Sequence, residues 1–198
     1  MLFTDIVNSS EKWAKHENKM LEILKEHEKR MFIIGEKNSG VIIKTIGDSF
    51  MISFNNLKDS IKCAIDIQED LNENPLKLDK DNIKLRIGMC EGYVFEKNIN
   101  IQNKTISDLF GNTVNSASRI ETKVSKEDGF AFASLLNENE KLDDLVKNYN
   151  VEVIDFNNGE DNEVKRSGRL LTDIHRHISK SLEELKGIRK ITVYSCFL

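Results

Sequence analysis

The residues of this chain that could do chemistry are few and regularly placed. They are Asp5 near the start, Lys44 and Asp48 four apart, Arg86, Asp108, and Asn115 with Arg119, again four apart. Two converging carboxylates offer hard oxygen ligands. Magnesium suits such a pair, because it takes one or two carboxylates and keeps positions for phosphate and water. Two metals between them could activate an attacking oxygen and steady a leaving one. Arg86 and Arg119 are candidates to meet charge that builds on phosphorus oxygens. Lys44 and Asp108 make a donor and acceptor pair able to read a purine edge. The set matches what a magnesium–nucleoside triphosphate site needs. Taken singly, each residue also has a plain structural explanation. Asp5 suits a strand-end turn, Asn115 and Arg119 a solvated helix face, and Arg86 a surface ion pair. Lys44 could lay its stem on apolar surface and its ammonium in water.

These residues need elements to position them. In residues 41–54 two apolar, β-branched runs flank Gly47-Asp48. That is the pattern of a hairpin closed by a two-residue loop, with Gly47 supplying positive φ at the first loop position. The turn lifts Asp48 to the tip. Lys44 puts a charge in an apolar strand, which is costly without a partner. Residues 1–7 read as a strand carrying Asp5. In a βαββ unit that strand lies beside the hairpin, so the two aspartates can converge. Asn8, Ser9 and Ser10 supply an N-cap for a helix to about residue 37, continuous or broken. Trp13, Met20, Leu24, Met31 and Ile34 are its apolar stripe. His16 and His27 lie near the stripe without carboxylates or cysteines around them and read as packing residues.

A second helix rests on Leu57, Ile61, Ala64, Ile65 and Leu71, and residues 83–89 alternate as a strand. Residues 96–107 are polar and read as an exposed arm or loop. A third helix opens within 110–120 and places Asn115 and Arg119 on one face. The remainder reads as a strand at 130–134, a helix at 135–147, a strand at 151–156, a loop at 157–167, a weaker helix at 170–185 and a last strand at 191–197. The expected fold class is α+β. It has a ferredoxin-like βαββαβ core, a mostly antiparallel sheet with helices on one face, and a C-terminal αβ extension, all in one domain of residues 1–198.

Composition narrows the partners. Charged residues make up 31% of the chain and the formal net charge is −4, so no broad nucleic-acid surface is expected. Cys63, Cys90 and Cys196 are odd in number and widely spaced, which points to free thiols in a reducing, cytoplasmic setting. No apolar run is long enough to span a bilayer. The abrupt start at a core strand leaves room for a regulatory domain upstream.

Four segments carry a resemblance: Phe3-Thr4-Asp5-Ile6-Val7, Lys44-Thr45-Ile46-Gly47-Asp48, Leu85-Arg86-Ile87-Gly88, and Phe110-Gly111-Asn112-Thr113-Val114-Asn115-Ser116-Ala117-Ser118-Arg119. In this order they resemble class III nucleotidyl cyclases over about residues 1–124, and again near Leu185-Lys186-Gly187-Ile188. The resemblance implies that Asp5, Asp48 and the Ile6 carbonyl bind two Mg2+ or Mn2+ ions. It implies that Lys44 and Asp108 read adenine, where guanylyl cyclases usually carry Glu and Cys. Asn115 would orient the ribose, Arg119 would stabilise the transition state, and Arg86 and Lys186 would contact the triphosphate. The implied reaction is attack of the ribose 3′-hydroxyl of ATP on the α-phosphorus, giving cyclic AMP and pyrophosphate. The implied assembly is a homodimer, with the metal aspartates from one protomer and the base readers and the Asn/Arg pair from the other. Two alternatives remain at this stage: a cyclase for guanine or a pyrimidine, and a catalytically silent nucleotide-binding or dimerisation module. Two departures stand out. Met89-Cys90-Glu91-Gly92 replaces the family's His-x-Gly and later glycines. Residues 151–179 lack a clear counterpart; their Arg166, Arg169, Arg176, His175 and His177 read as solvated, or as a regulatory or phosphate-contacting element.

Overall fold

The chain opens with β1 (Leu2–Ile6), α1 (Ser9–Lys37), the hairpin β2 (Val41–Ile46) and β3 (Ser49–Ser53), and α2 (Leu57–Glu73). A short pair, β4 (Lys77–Leu78) and β5 (Asp81–Asn82), leads to β6 (Leu85–Glu91). Then come the ribbon β7 (Phe95–Ile101) and β8 (Lys104–Phe110), α3 (Asn112–Lys123) and β9 (Gly129–Ser134). The last strands are β10 (Asn150–Asn157), β11 (Glu160–Arg166), β12 (Glu184–Leu185), β13 (Ile188–Arg189) and β14 (Ile191–Phe197). This is a computed structural model, and it describes residues 1–101, 104–135, 146, 149–157, 160–166, 184–185, 188–189 and 191–197.

Eight strands form one sheet in the order β11-β10-β14-β9-β6-β1-β3-β2. Within it, β6-β1-β3-β2 is the 4-1-3-2 order of a ferredoxin-like core, and only the β6–β9 pairing is parallel. The α+β class and mostly antiparallel sheet are therefore as the sequence implies. Alternation along the strands gives the sheet two apolar faces. Leu2, Ile6, Phe50, Ile52, Leu85 and Ile87 pack with α1 and α2 on one. Phe3, Met51, Cys90 and Ala131 pack with Ala117, Ile120 and Val124 of α3 on the other. Helices α1 and α2 thus share a face of the core, and α3 covers the reverse.

The buried positions of α1 are Met20, Ile23, His27, Met31 and Gly35, recurring at helical spacing. Full burial of a side chain such as Met20 or Met31 contributes about 1.5–3 kcal/mol. A non-helical residue, His16 at φ −141°, breaks the helix into two parts. Helix α2 begins where Asn56 accepts a hydrogen bond from the Asp59 N–H at 2.8 Å, the N-cap interaction. Helix α3 lies unusually close to β6. A Cβ on Gly88 would stand 2.0 Å from the Glu121 backbone nitrogen, so only glycine admits the helix there.

One expectation narrows and another changes. Of the two readings of residues 96–107, arm or loop, the arm holds: the described residues there belong to the paired ribbon β7–β8. Residues 157–167, read as a loop, contain β11, which pairs with β10. Strand β11 is polar apart from Val164 and gives no apolar period to read, and in β7–β8 the alternation is confined to Asn98-Ile99-Asn100-Ile101, too short among polar neighbours to mark a strand. The strands expected at 151–156 and 191–197 are present as β10 and β14. The helices expected at 135–147 and 170–185 fall mostly outside the described residues; where the second was expected to end, Glu184–Leu185 is strand β12.

Candidate active site

The Gly47-Asp48 turn is built as its residue types require. Ile46 pairs with Ser49 across a two-residue loop, and Gly47 takes φ +64°. The tip does not stand free in water. It folds toward the end of β1, and Asp48 is half-buried. Burial pushes the Asp48 carboxyl above its ordinary range, and the nearby Asp5 charge adds to the rise. The N–H groups of Asp48 and Ile6 and the Ser9 hydroxyl pull the other way. One oxygen, Asp48 Oδ2, is buried with no hydrogen-bond partner. Beneath the turn lies His27, 2% exposed and edge-on to Phe50 at 5.4 Å between ring centroids. Burial lowers its pKa to about 4, despite the Asp48 backbone nearby, which favours the charged form.

Asp5 sits one residue before the end of β1, with its side chain on the α3 side of the sheet beside Arg86 of β6. Its Oδ1 accepts from Ser49 Oγ at 2.7 Å, and its Oδ2 accepts from Arg86 Nη2 at 2.7 Å. Arg86 also places Nε 3.2 Å from Glu121 Oε1 on α3. That contact is an ion pair by distance but lacks hydrogen-bond alignment, since both atoms are buried without a hydrogen bond. Burial pushes the Glu121 carboxyl up. Thr122 and Arg86 oppose the rise, and Asp5 and Asp48 add to it. The corner therefore sets two carboxylates, Asp5 and Glu121, on one guanidinium, with Asp48 close enough to act on both.

Lys44 reaches its place through a defect in β2. Ile42 pairs with Ile52 but Lys44 pairs with Met51, leaving Ile43 as a bulge. Directly paired residues share a face. Unbulged pairing would put Lys44 opposite Phe50, in the core under α1; the bulge turns it to the face of Met51. There its Nζ meets Asp108 Oδ2 of β8 at 2.5 Å. The ammonium holds the Asp108 carboxyl below the usual carboxylate range.

Asn115 and Arg119 stand on the exposed side of α3, opposite its buried Thr113, Ser116, Ala117, Ile120 and Glu121. The helix starts after Gly111, whose φ of +130° suits glycine. Beside that start, Tyr93 and Phe95 are 84% and 75% exposed, and Phe110 is also exposed. Neither Asn115 nor Arg119 bonds to another side chain among the described residues. Ile6 has a buried side chain and ends β1 next to Asp5. Lys186 lies outside the described residues, as do Arg169, His175, Arg176 and His177.

The structure thus brings Asp5, Asp48 and Arg86 together, pairs Lys44 with Asp108, and leaves Asn115 and Arg119 facing outward. It adds Ser49 and Glu121, which sequence reading passed over. Glu121 had a signal: it is an acid on the buried stripe of α3, where an apolar residue is the rule.

Residues 1–129, nearly two thirds of the chain, match the adenylate and guanylate cyclase catalytic domain family. The chain belongs to that family. Solved cyclases share its fold. The guanylate cyclase domain of RhGC from Catenaria anguillulae, in complex with GTP, aligns with a TM-score of 0.66 at 19% identity, over 98% of this chain and 93% of that one. The adenylyl cyclase CyaB from P. aeruginosa gives 0.63 at 18%, over 100% and 92%. Adenylate cyclases from Trypanosoma brucei in their monomeric state give 0.63 at 16%, over 98% and 87%. No curated protein matches the chain in sequence. Membership supports lyase activity on a nucleotide, and cyclase domains of this family commonly dimerise and generally depend on divalent metal. No helix among the described residues is long and apolar enough to cross a membrane.

The residues present fit a divalent ion. Asp48 Oδ2 is a buried anionic oxygen with no partner, and Asp5 lies close enough to raise the Asp48 pKa. Among the described residues no cluster of three or more His, Cys, Asp or Glu side chains is gathered for a metal. Two carboxylates and a carbonyl are the smaller set that suits magnesium, which leaves the rest of its shell to water and phosphate.

Proposed function

We propose that this cyclase is an adenylyl cyclase. It converts ATP to 3′,5′-cyclic AMP and pyrophosphate in a homodimer, in the cytoplasm, with residues 1–198 forming one catalytic domain. The observation that carries the cyclase reading is the pair of aspartates, with Asp48 Oδ2 buried and unpartnered beside Asp5; the preference for adenine rests on Lys44 and Asp108. Asp5, Asp48 and the Ile6 carbonyl would hold two Mg2+ or Mn2+ ions. Bound there, the ions lower the pKa of the attacking hydroxyl and polarise the α-phosphate. Lys44 and Asp108 read the adenine edge; the 2.5 Å contact between them fixes a donor beside an acceptor. Arg86, with Lys186, contacts the triphosphate. Asn115 orients the ribose, and Arg119 meets the charge developing on the α-phosphate.

The homodimer reading is supported by the outward stance of Asn115 and Arg119 and by the exposed aromatics at the α3 start. An apolar group of that kind marks an interaction surface. A second copy would cover Tyr93, Phe95 and Phe110 and bring Arg119 to the first copy's aspartates.

The test is incubation with each of the four nucleoside triphosphates and Mg2+ or Mn2+, with products identified by mass spectrometry. Cyclic AMP as the main product, lost in Asp48→Asn and Arg119→Ala, is expected. A different dominant cyclic product overturns the base assignment. Equal silence of all three proteins, with dimers present, overturns the enzyme reading and leaves a nucleotide-binding module.

A further inference from the structure

The Asp5–Arg86–Glu121 chain invites a question. A divalent ion held by both aspartates must take an oxygen of Asp5, and both of those oxygens are already engaged. Ser49 occupies one and Arg86 the other, each at 2.7 Å. The Ser49 hydroxyl is neutral, and a carboxylate oxygen has a second lone pair, so Ser49 can stay. Arg86 is a cation on the very carboxylate a second cation would bind. Repulsion between them scales with the product of the charges, so it doubles for a divalent ion.

Arg86 has somewhere to go. Its Nε lies 3.2 Å from Glu121 Oε1, with neither atom in a hydrogen bond. Both keep unused capacity that a small reorientation of the guanidinium would satisfy. The anchor itself is fixed. The backbone of Glu121 is pinned where Gly88 lets α3 touch β6, and the Thr122 hydroxyl, whose one proton is shared with the Ser118 carbonyl, lies 2.9 Å from Glu121 Oε2.

We infer that Arg86 is a displaceable counter-ion of the aspartate pair. It yields its place at Asp5 to the divalent cation, while Glu121 retains it at the edge of the site. The inference rests on the proposed metal role of Asp5 and Asp48. In the metal-free chain Arg86 neutralises Asp5 and lets it sit beside Asp48. With metal bound, Arg86 turns to Glu121 and completes the bond it now lacks. Arg86 thus lowers the affinity of the metal-free site, and Glu121, a positioning residue, offsets part of that effect.

The two residues therefore have opposite signs. Arg86→Gln should tighten Mn2+ binding to the nucleotide-free protein by about fivefold, the upper end of the scale of a partly exposed ion pair. Glu121→Gln leaves Arg86 to Asp5 alone and should weaken binding about threefold on the same scale. Arg86→Lys keeps the charge and should stay at or below wild-type affinity. Free Mn2+ is read by electron paramagnetic resonance during titration of the full chain without nucleotide, with Asp48→Asn as the site control and thermal melts to check folding. Tightening by Arg86→Gln together with weakening by Glu121→Gln supports the inference. If binding depends on Asp48 but Arg86→Gln leaves it unchanged or weaker, or Arg86→Lys tightens it equally, the counter-ion role is overturned and the metal reading stands. If Mn2+ binding is absent or indifferent to Asp48→Asn, the metal reading falls first and this inference with it.

Discussion

Two regions of the cyclase carry its chemistry on opposite terms. At the corner of Asp5, Asp48, Arg86 and Glu121 the charges are wholly or partly buried; Arg86 lies within 3.2 Å of both Asp5 and Glu121, and Asp48 feels the charge of Asp5. On α3, Asn115 and Arg119 face outward with no bond to another described side chain. A buried charge has to be compensated within the fold. An exposed one is compensated by water, so the fold leaves it free to meet another surface. The corner is completed when one chain folds; the helix face offers groups that only a second body can use.

The largest effect would come from separating the two regions on different chains. Asp48→Asn and Arg119→Ala should each lower cyclase activity by about 10²–10³-fold, the scale for removing one preorganised charge. Mixed in equal amounts, they should recover about a quarter of wild-type activity. Half of the dimers are then mixed, and each has one intact site of two, on the closed, symmetric assembly expected for a homo-oligomer. No recovery on mixing would place both regions in a one-chain site and erase the contrast.

Next comes the packing that joins the two. Gly88→Ala puts a methyl 2.0 Å from backbone nitrogen of α3. Overpacking against backbone should cost about 3 kcal/mol, read as a lower midpoint in urea. A loss below a few tenths of a kcal/mol would mean that α3 shifts freely and the corner is less fixed than it looks.

The ground under the Asp48 turn gives a pH test of similar size. His27 is neutral when folded near neutral pH, its pKa lowered by burial from the ordinary 6.5 to about 4. The unfolded chain therefore binds the extra proton first, and stability must rise with pH across that window. Between pH 6.5 and pH 4 the wild type should lose about 3 kcal/mol more than His27→Gln, levelling off below pH 4. Parallel stability curves for the two proteins would show that the histidine protonates without unfolding the turn.

The smallest effect belongs to the partly exposed pair between the regions. Lys44→Met should change stability by less than about 1 kcal/mol. It should still lower the preference for ATP over GTP by about tenfold, the cost of losing one base-edge hydrogen bond. A large stability loss with unchanged selectivity would make the pair structural.

Local chemistry was legible wherever a residue's own properties decide the backbone. The β-branched flanks and Gly47 gave the hairpin; the sequence leaves open whether α1 is continuous or broken, and the structure breaks it at His16. The ribbon β7–β8 and strand β11 were not legible, because runs this rich in polar residues carry too little apolar alternation to mark a strand. Nor was the Ile43 bulge. A single inserted residue changes which face every later side chain takes, yet leaves composition untouched.

By itself, the sequence determined the set of charged groups and the elements bearing them, since turn chemistry and apolar spacing act over a few residues. The Lys44–Asp108 pair is named from sequence, but tertiary structure alone decided how the bulge turns Lys44 to Asp108, set Arg86 against Asp5 and Glu121, and left Asp48 with a bare buried oxygen. Those depend on strand register and on how closely α3 approaches Gly88. Distances between residues eighty positions apart are set by packing, which no local pattern encodes.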